Sequence, residues 1–158
     1  MVERSQLLLS TSTRMRDQAW LDSQLDHVLL HHYPELELIN PVEVRWGRAA
    51  STRFGSIRLG DEVGRIIVNG ASRDPQIPRE MVWATSGHEL AHYTHGFCTG
   101  HPQKYAHPHR GRVVDQEMIE RGMGEILAFQ KRWAKEEWPG LAPRPARRRR
   151  SRAVFYRF

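Results

Sequence analysis

The chain has 158 residues, 39% of them hydrophobic and 27% charged, a composition typical of one globular domain with short extensions. No apolar run approaches the ~20 residues that a membrane span requires, and the single cysteine, Cys98, excludes an internal disulfide framework or a multi-cysteine zinc ribbon. The net charge is +6, but seven arginines between residues 141 and 158 account for it, since the other 17 basic and 18 acidic residues nearly cancel. Without a recognisable signal peptide, these features predict a cytoplasmic protein with no membrane partner.

The first elements of the chain are predicted to be a flexible leader and a helix. The leader covers residues 1–12, and the helix extends from Thr13 to His32, because apolar residues recur along it at helical spacing. Thr13 is a suitable N-terminal cap, and Tyr33 precedes a proline, which disfavours a helical conformation at Tyr33. The apolar stripe consists of Leu21, Leu25, Val28, Leu29 and His32.

Between residues 41 and 69 the apolar period changes to that of strands. Val42, Val44 and Trp46 alternate with charged residues, and residues 54–59 and 64–69 form two further strand-like segments joined by a Gly-Asp-Glu link. Three strands between two helical regions predict an α+β fold, with a small three-stranded antiparallel sheet packed under a helical layer.

The next segment carries the chemistry, since residues 88–92 read His-Glu-Leu-Ala-His. On a helix, His88 and His92 lie on one face because they are four residues apart, so both imidazoles can bind one metal ion. Glu89 then reaches a water at the metal's open position and can take its proton as hydroxide attacks a carbonyl. A broad apolar face from Met81 to His92 places this motif inside a long helix, as the chemistry requires. We therefore predict Zn²⁺ held by His88 and His92, with Glu89 as the catalytic base.

The motif helix contains one glycine in its interior and is followed by another. Gly87 costs about 1 kcal/mol relative to alanine in a helix interior, and a close approach of the sheet would explain its presence. Gly96 is a suitable C-terminal stop.

A third metal ligand must come from elsewhere in the chain. His95 shares a face with His92 but lies seven residues from His88, a rise of ~10.5 Å that is too long for one ion to bind all three. Glu117 and Glu125, on the last helix, would suit a zincin that uses a distant glutamate, although acids on a long helix usually face water. The following Gly- and Pro-rich loop supplies three candidates, namely His101, His107 and His109.

The last helix is predicted from about Val113 to Trp138, where apolar residues recur at helical spacing before Pro139. Its Gly-Met-Gly interruption at residues 122–124 indicates close packing against the motif helix.

The tail at residues 141–158 follows this helix. Arginines neutralise phosphates and aromatic rings stack on unpaired bases, so the tail is predicted to bind nucleic acid, with a solvated basic extension as the alternative. The arginines proposed to bind are Arg147, Arg148, Arg149, Arg150 and Arg152.

The order of these motifs resembles the SprT-like zinc metalloprotease family, which includes the DNA-repair protease Spartan and minimal bacterial relatives. The likeness covers roughly residues 14–133, and Phe54 stands where the family usually has tryptophan. Besides residues 88–92, the matching segments are RFGS at residues 53–56, GRIIVN at residues 64–69 and HPQKY at residues 101–105.

This resemblance implies a zincin-like metallopeptidase domain over residues 13–140, in a minimal form without a zinc ribbon. It implies His101 as the third zinc ligand and a protein or peptide as the substrate. The family's association with DNA adds to the nucleic-acid interpretation of the tail, which would bring DNA-bound proteins to the enzyme. Tyr93 and Tyr105 are candidates for oxyanion stabilisation, with aromatic packing as the alternative role.

Two other functions are consistent with the motif. One is a nucleic-acid-binding module with a structural zinc, in which Glu89 would be dispensable. The other is a zinc hydrolase acting on a substrate that is not a peptide, in which Glu89 would be required but no proteolysis would occur.

Overall fold

The computed structural model describes residues 14–59, 62–97 and 99–144, which form an α+β arrangement of helices around a three-stranded sheet. The predicted leader at residues 1–12 and the five tail arginines from Arg147 to Arg152 lie outside these residues. No helix of the described part has both the length and the apolar character needed to cross a membrane. The helices are α1 (Gln18–His32), α2 (Arg79–Thr94), α3 (Val113–Glu120), α4 (Gly124–Glu136) and α5 (Trp138–Leu141), and the strands are β1 (Val42–Trp46), β2 (Gly55–Leu59) and β3 (Gly64–Val68).

Helix α1 begins four residues after Arg14 rather than at Thr13, which lies outside the described residues. Its cap is Asp17, whose carboxylate accepts a hydrogen bond from the Trp20 N–H at 2.8 Å. The helix ends before Tyr33, as predicted. Three residues of the predicted stripe are buried against the rest of the core, namely Leu21, Leu25 and Val28.

The sheet is mixed, so the prediction of an antiparallel sheet was wrong for one of its two pairings. The strand order is β1-β3-β2, in which β1 pairs with β3 in parallel and β2 pairs with β3 in antiparallel orientation. Val44 and Ile57 therefore both lie opposite Ile66, from either side. Alternation along a strand identifies its two faces and not its neighbours. The buried Ile66 and Val68 suit β3 to the central position.

Asn69, which follows β3, holds the β1–β2 connection in place. Its amide nitrogen donates to the carbonyl oxygens of Ala50 and Arg53 at 2.6 and 2.9 Å, and its amide oxygen accepts from the N–H groups of Ala50 and Ala71. The side chain is 4% exposed, so these bonds satisfy a buried polar group. The start of β2 is thereby positioned beside α2.

Helix α2 is buried along most of its length and contacts the sheet, α1, α3 and α4. Gly96, with φ of +80°, ends it as predicted, and the N–H groups of Gly96 and Phe97 bond back to the carbonyls of Tyr93 and His92. The expected reason for Gly87 was wrong. A Cβ atom at Gly87 would lie 2.5 Å from the end of the Met123 side chain, just before α4, so the close neighbour of this glycine is Met123 and not the sheet.

The single helix predicted after residue 113 is divided into α3, α4 and α5. Gly122 interrupts it with φ of +76°, a conformation that non-glycine residues rarely adopt. The break allows Met118 on α3 and Met123 at the start of α4 both to approach α2 beside Gly87. The predicted close packing of this interruption against the motif helix is therefore confirmed.

Candidate metal centre

His88 and His92 lie one turn apart on α2, and their Nε2 atoms are 3.1 Å apart. Their rings meet edge to face, with centroids separated by 4.8 Å. Four-coordinate zinc with bonds of ~2.0–2.1 Å places neighbouring nitrogen atoms ~3.3 Å apart. The helix spacing thus provides two nitrogen donors at a separation that suits one metal ion.

His109 completes a group of three histidines that could hold a metal ion. The donor atoms of His88, His92 and His109 all lie within 4.8 Å of one another, and the His92 and His109 ring centroids are 4.8 Å apart. Since neighbouring nitrogen atoms of four-coordinate zinc lie ~3.3 Å apart, binding would draw the donor atoms closer together. His109 is the exposed member of the group and lies on a loop. Three imidazole nitrogens are a donor set that fits Zn²⁺.

The structure does not bring His101 to this group. Its Nε2 atom lies 2.8 Å from the carbonyl oxygen of Glu37, and its ring packs edge to face on Tyr93. The histidine that lies with His88 and His92 is therefore His109, one of the two alternatives to the His101 that the resemblance implies. His107, the other alternative, is exposed and lies outside the histidine group among the described residues.

The loop between α2 and α3 is anchored at His95, and these contacts set the path by which His109 reaches His88 and His92. The carbonyl of His95 accepts the N–H of Lys104 at 2.8 Å, and the His95 ring packs edge to face on Tyr105. At Gly96 the loop passes too close for any Cβ atom, with Pro102 in contact. After His109, the loop enters α3 through two left-handed residues, Gly111 and Arg112.

Glu89 is 7% exposed and faces the β2 edge of the sheet. Burial raises the pKa of its carboxyl group to about 7, and the N–H of Ile57 and the charge of Arg53 offset only part of this effect. A carboxyl group with a pKa near neutrality can both accept and return a proton at physiological pH.

The two histidines of the motif are neutral at pH 7. Burial and the charge of His109 lower the pKa of His88 to about 4. Burial and the neighbouring imidazoles His88 and His109 lower the pKa of His92 to about 3. Because a metal binds the neutral imidazole, neither residue has to lose a proton before coordination near pH 7.

Two cavities flank the motif. One, of about 360 Å³, is bounded by the start of β2 and by α4, and Arg53, Phe54 and Lys131 are among its lining residues. The other, of about 420 Å³, is bounded by β2 and the His109 loop. His88, Glu89, Arg53 and Gly55 line both cavities, whereas His92 and His109 line only the second.

Several other sequence candidates lie away from the centre. Glu117 bonds to His95 at 3.1 Å and to Arg121 at 2.8 Å, and Glu125 is exposed at a separate hollow of α4. The Tyr93 hydroxyl bonds to the side chain of Asn40 at 2.9 Å. Tyr105 packs on His95, so both tyrosines have the alternative, packing role. Cys98 lies outside the described residues.

Sequence reasoning did not identify Arg53 and Lys131 as part of the site. They are 78 positions apart in the chain, and neither belongs to a metal-binding pattern. The one available signal was the position of Arg53 at the start of the RFGS segment, beside a predicted strand.

Comparisons with protein-family models, with curated proteins and with solved structures found no match to this chain.

Proposed function

We propose that this protein is a zinc-dependent metallopeptidase of zincin-like architecture, related to the SprT-like family. The observation that carries the proposal is a buried carboxyl group, Glu89, adjacent in sequence to His88 and lining one cavity of about 420 Å³ together with all three histidines. We assign His88, His92 and His109 as zinc ligands. His109 replaces His101 in this assignment, because His101 is bonded to Glu37.

The free edge of β2 supports a peptide substrate. Among the described residues, β2 pairs with β3 alone. The carbonyl of Phe54 points inward to the N–H of Asn69, so alternation along the strand turns the main-chain groups of Gly55 and Ile57 outward. An extended peptide can add to such an edge through main-chain hydrogen bonds, in front of Glu89 and the histidines.

When bound, zinc lowers the pKa of a coordinated water and polarises the scissile carbonyl. Glu89 accepts the proton of the attacking water and then donates it to the leaving amine. The Ile57 N–H favours the charged form of the Glu89 carboxylate, so the edge groups of β2 left for a substrate are those of Gly55 and the carbonyl of Ile57. Gly55 keeps β2 close to α2, because a side chain there would collide with Thr85.

DNA-associated proteins are the substrate class that the arginine tail favours, and we place the enzyme in the cytoplasm because its single cysteine does not indicate an oxidising compartment. In this scheme Arg147 to Arg152 hold the enzyme on nucleic acid while the cleft acts on a bound protein.

The test is cleavage of an unfolded basic DNA-binding protein by zinc-loaded enzyme, followed on gels with and without single-stranded DNA. We expect cleavage that Glu89→Gln abolishes and that DNA accelerates. Glu89→Gln keeps the size of the side chain and its acceptor for Ile57, so a matched zinc content shows that its metal site is intact.

Other outcomes separate the alternatives. If DNA does not change the rate of cleavage, the peptidase function stands and the tail is a solvated extension without a role in binding nucleic acid. Zinc binding without cleavage of any protein or peptide overturns the peptidase. The remaining choice, between a structural zinc module and a hydrolase for another substrate, is then made by testing Glu89→Gln on ester and amide substrates.

A further inference from the structure

The cavity between β2 and α4 has cations on two opposite walls. Arg53 comes from the β1–β2 connection, and Lys131 comes from α4. Of its ten lining residues, Glu89 is the one acid. Thr52 and Gln130 contribute neutral polar groups to the same lining. This combination makes the cavity an environment for an anionic group.

Asp115, the acid that pairs with Lys131, does not cancel the positive charge of the cavity. Its Oδ2 atom accepts a hydrogen bond from Lys131 and also lies 3.3 Å from the Nε atom of Arg112. One carboxylate thus serves two cations. Among the described residues, the ion pairs of the chain do not include Arg53. The guanidinium is available to a ligand that enters the cavity.

Part of the cavity lining is apolar. Phe54 and Ala134 line it, and the Thr85 hydroxyl is turned away because it donates to the carbonyl of Met81 at 2.7 Å. The Thr85 methyl group lies against Gly55 instead. A volume of about 360 Å³ accommodates one amino-acid side chain. An apolar stem that ends in a charged group matches this lining.

We infer that the cavity between β2 and α4 binds a carboxylate of the substrate, held by Arg53 and Lys131. The carboxylate is either an acidic side chain beside the scissile bond or the C-terminal carboxylate of the peptide. The role in specificity rests on the proposed peptidase function, whereas binding of the carboxylate does not require cleavage.

The first experiment measures binding without turnover, by NMR titration of the zinc-free protein, which keeps Glu89 in the cavity. The probes are N-acetyl-glutamate amide, which has only the side-chain carboxylate, N-acetyl-alanine, which has only the C-terminal one, and N-acetyl-glutamine amide, which has neither. We expect one carboxylate probe to bind at least tenfold more tightly than the glutamine probe. We also expect Lys131→Met and Arg53→Met, each added to this protein, to remove the difference.

Matched controls are available on the same elements. Lys135 lies one turn after Lys131 on α4, and Arg48 lies in the same connection as Arg53, but neither lines the cavity. Lys135→Met and Arg48→Met should leave the preference unchanged. Equal binding of all three probes, or a preference that Lys135→Met and Arg48→Met remove as well, overturns the inference.

The second experiment profiles cleavage of a mixed peptide library by zinc-loaded enzyme. We expect acidic residues enriched at one position beside the scissile bond, or cleavage confined to the C-terminal residue. If acidic residues are enriched, Lys131→Glu should replace this preference with one for Lys and Arg at the same position. A profile without acidic enrichment and without confinement to the C-terminal residue shows that Arg53 and Lys131 do not determine cleavage specificity. Failure to cleave any peptide overturns the peptidase, and the NMR titration then decides the carboxylate site by itself.

Discussion

The Nε2 atom of His95 lies 3.1 Å from a carboxylate oxygen of Glu117, at a position where His95 is completely buried. The other oxygen of Glu117 accepts from Arg121 at 2.8 Å, and the Arg121 guanidinium stacks on Tyr33. Since His95 also anchors the loop of His109, this pair connects α3 to the geometry of the histidine group.

We expect Glu117→Ala to lower the free energy of unfolding by about 3 kcal/mol, because it leaves buried His95 without its partner and removes one of the acceptors of Arg121, which keeps Glu35 and His32. Urea unfolding of the metal-free protein measures this change. The control is Glu120→Ala, an exposed acid on the same helix, which should stay within about 0.5 kcal/mol of the unchanged protein. Equal effects of the two substitutions would remove the structural role assigned to Glu117.

The third metal ligand is tested by a pair of alanine substitutions. His109→Ala should weaken zinc binding by more than the 10- to 100-fold typical of residues that only support a ligand. His101→Ala should change zinc affinity by less than about threefold, because His101 bonds to Glu37 instead. Competition with a chromogenic chelator measures both. The opposite ranking would return the assignment to His101 and require a different path for the loop.

Glu89→Gln should stabilise the metal-free protein at pH 8. The folded-state pKa of about 7 exceeds the ordinary 4.5, so the folded protein binds more protons between these values and its stability falls as pH rises through them. At about 1.4 kcal/mol per pKa unit, the variant gains up to about 3 kcal/mol at pH 8 and little at pH 4.5. Unfolding in the presence of chelator at both pH values checks this. Equal gains at both would contradict the raised pKa.

Gly55→Ala should destabilise the protein by about 1–3 kcal/mol through overpacking. The new Cβ atom would collide with the methyl group of Thr85 and lie 2.9 Å from the carbonyl oxygen of Ile67. Adding Thr85→Ser removes that methyl group while keeping a hydroxyl for Met81, so part of the loss should be recovered. Thermal unfolding of the two single variants and the double variant measures the coupling, and strict additivity would exclude the contact.

Most elements of this fold could be predicted from local patterns. Strand β1 coincides with the alternation at residues 42–46, and α2 coincides with the apolar face that contains the motif. The order of the strands and the break at Gly122 could not be read in this way. Both depend on which distant residues pack together, and apolar periodicity records only which face of an element is buried.

The same division holds at the candidate metal centre. The spacing of the motif is enough to place His88, His92 and Glu89 together, because residues one turn apart on a helix share its surface. That His109, and not His101, joins them follows from the path of the loop, which depends on contacts such as Lys104 with His95 and His101 with Glu37. Arg53 and Lys131 meet at one cavity for the same reason. Local geometry is encoded by spacing, whereas the approach of distant segments is encoded by the packing of the whole core.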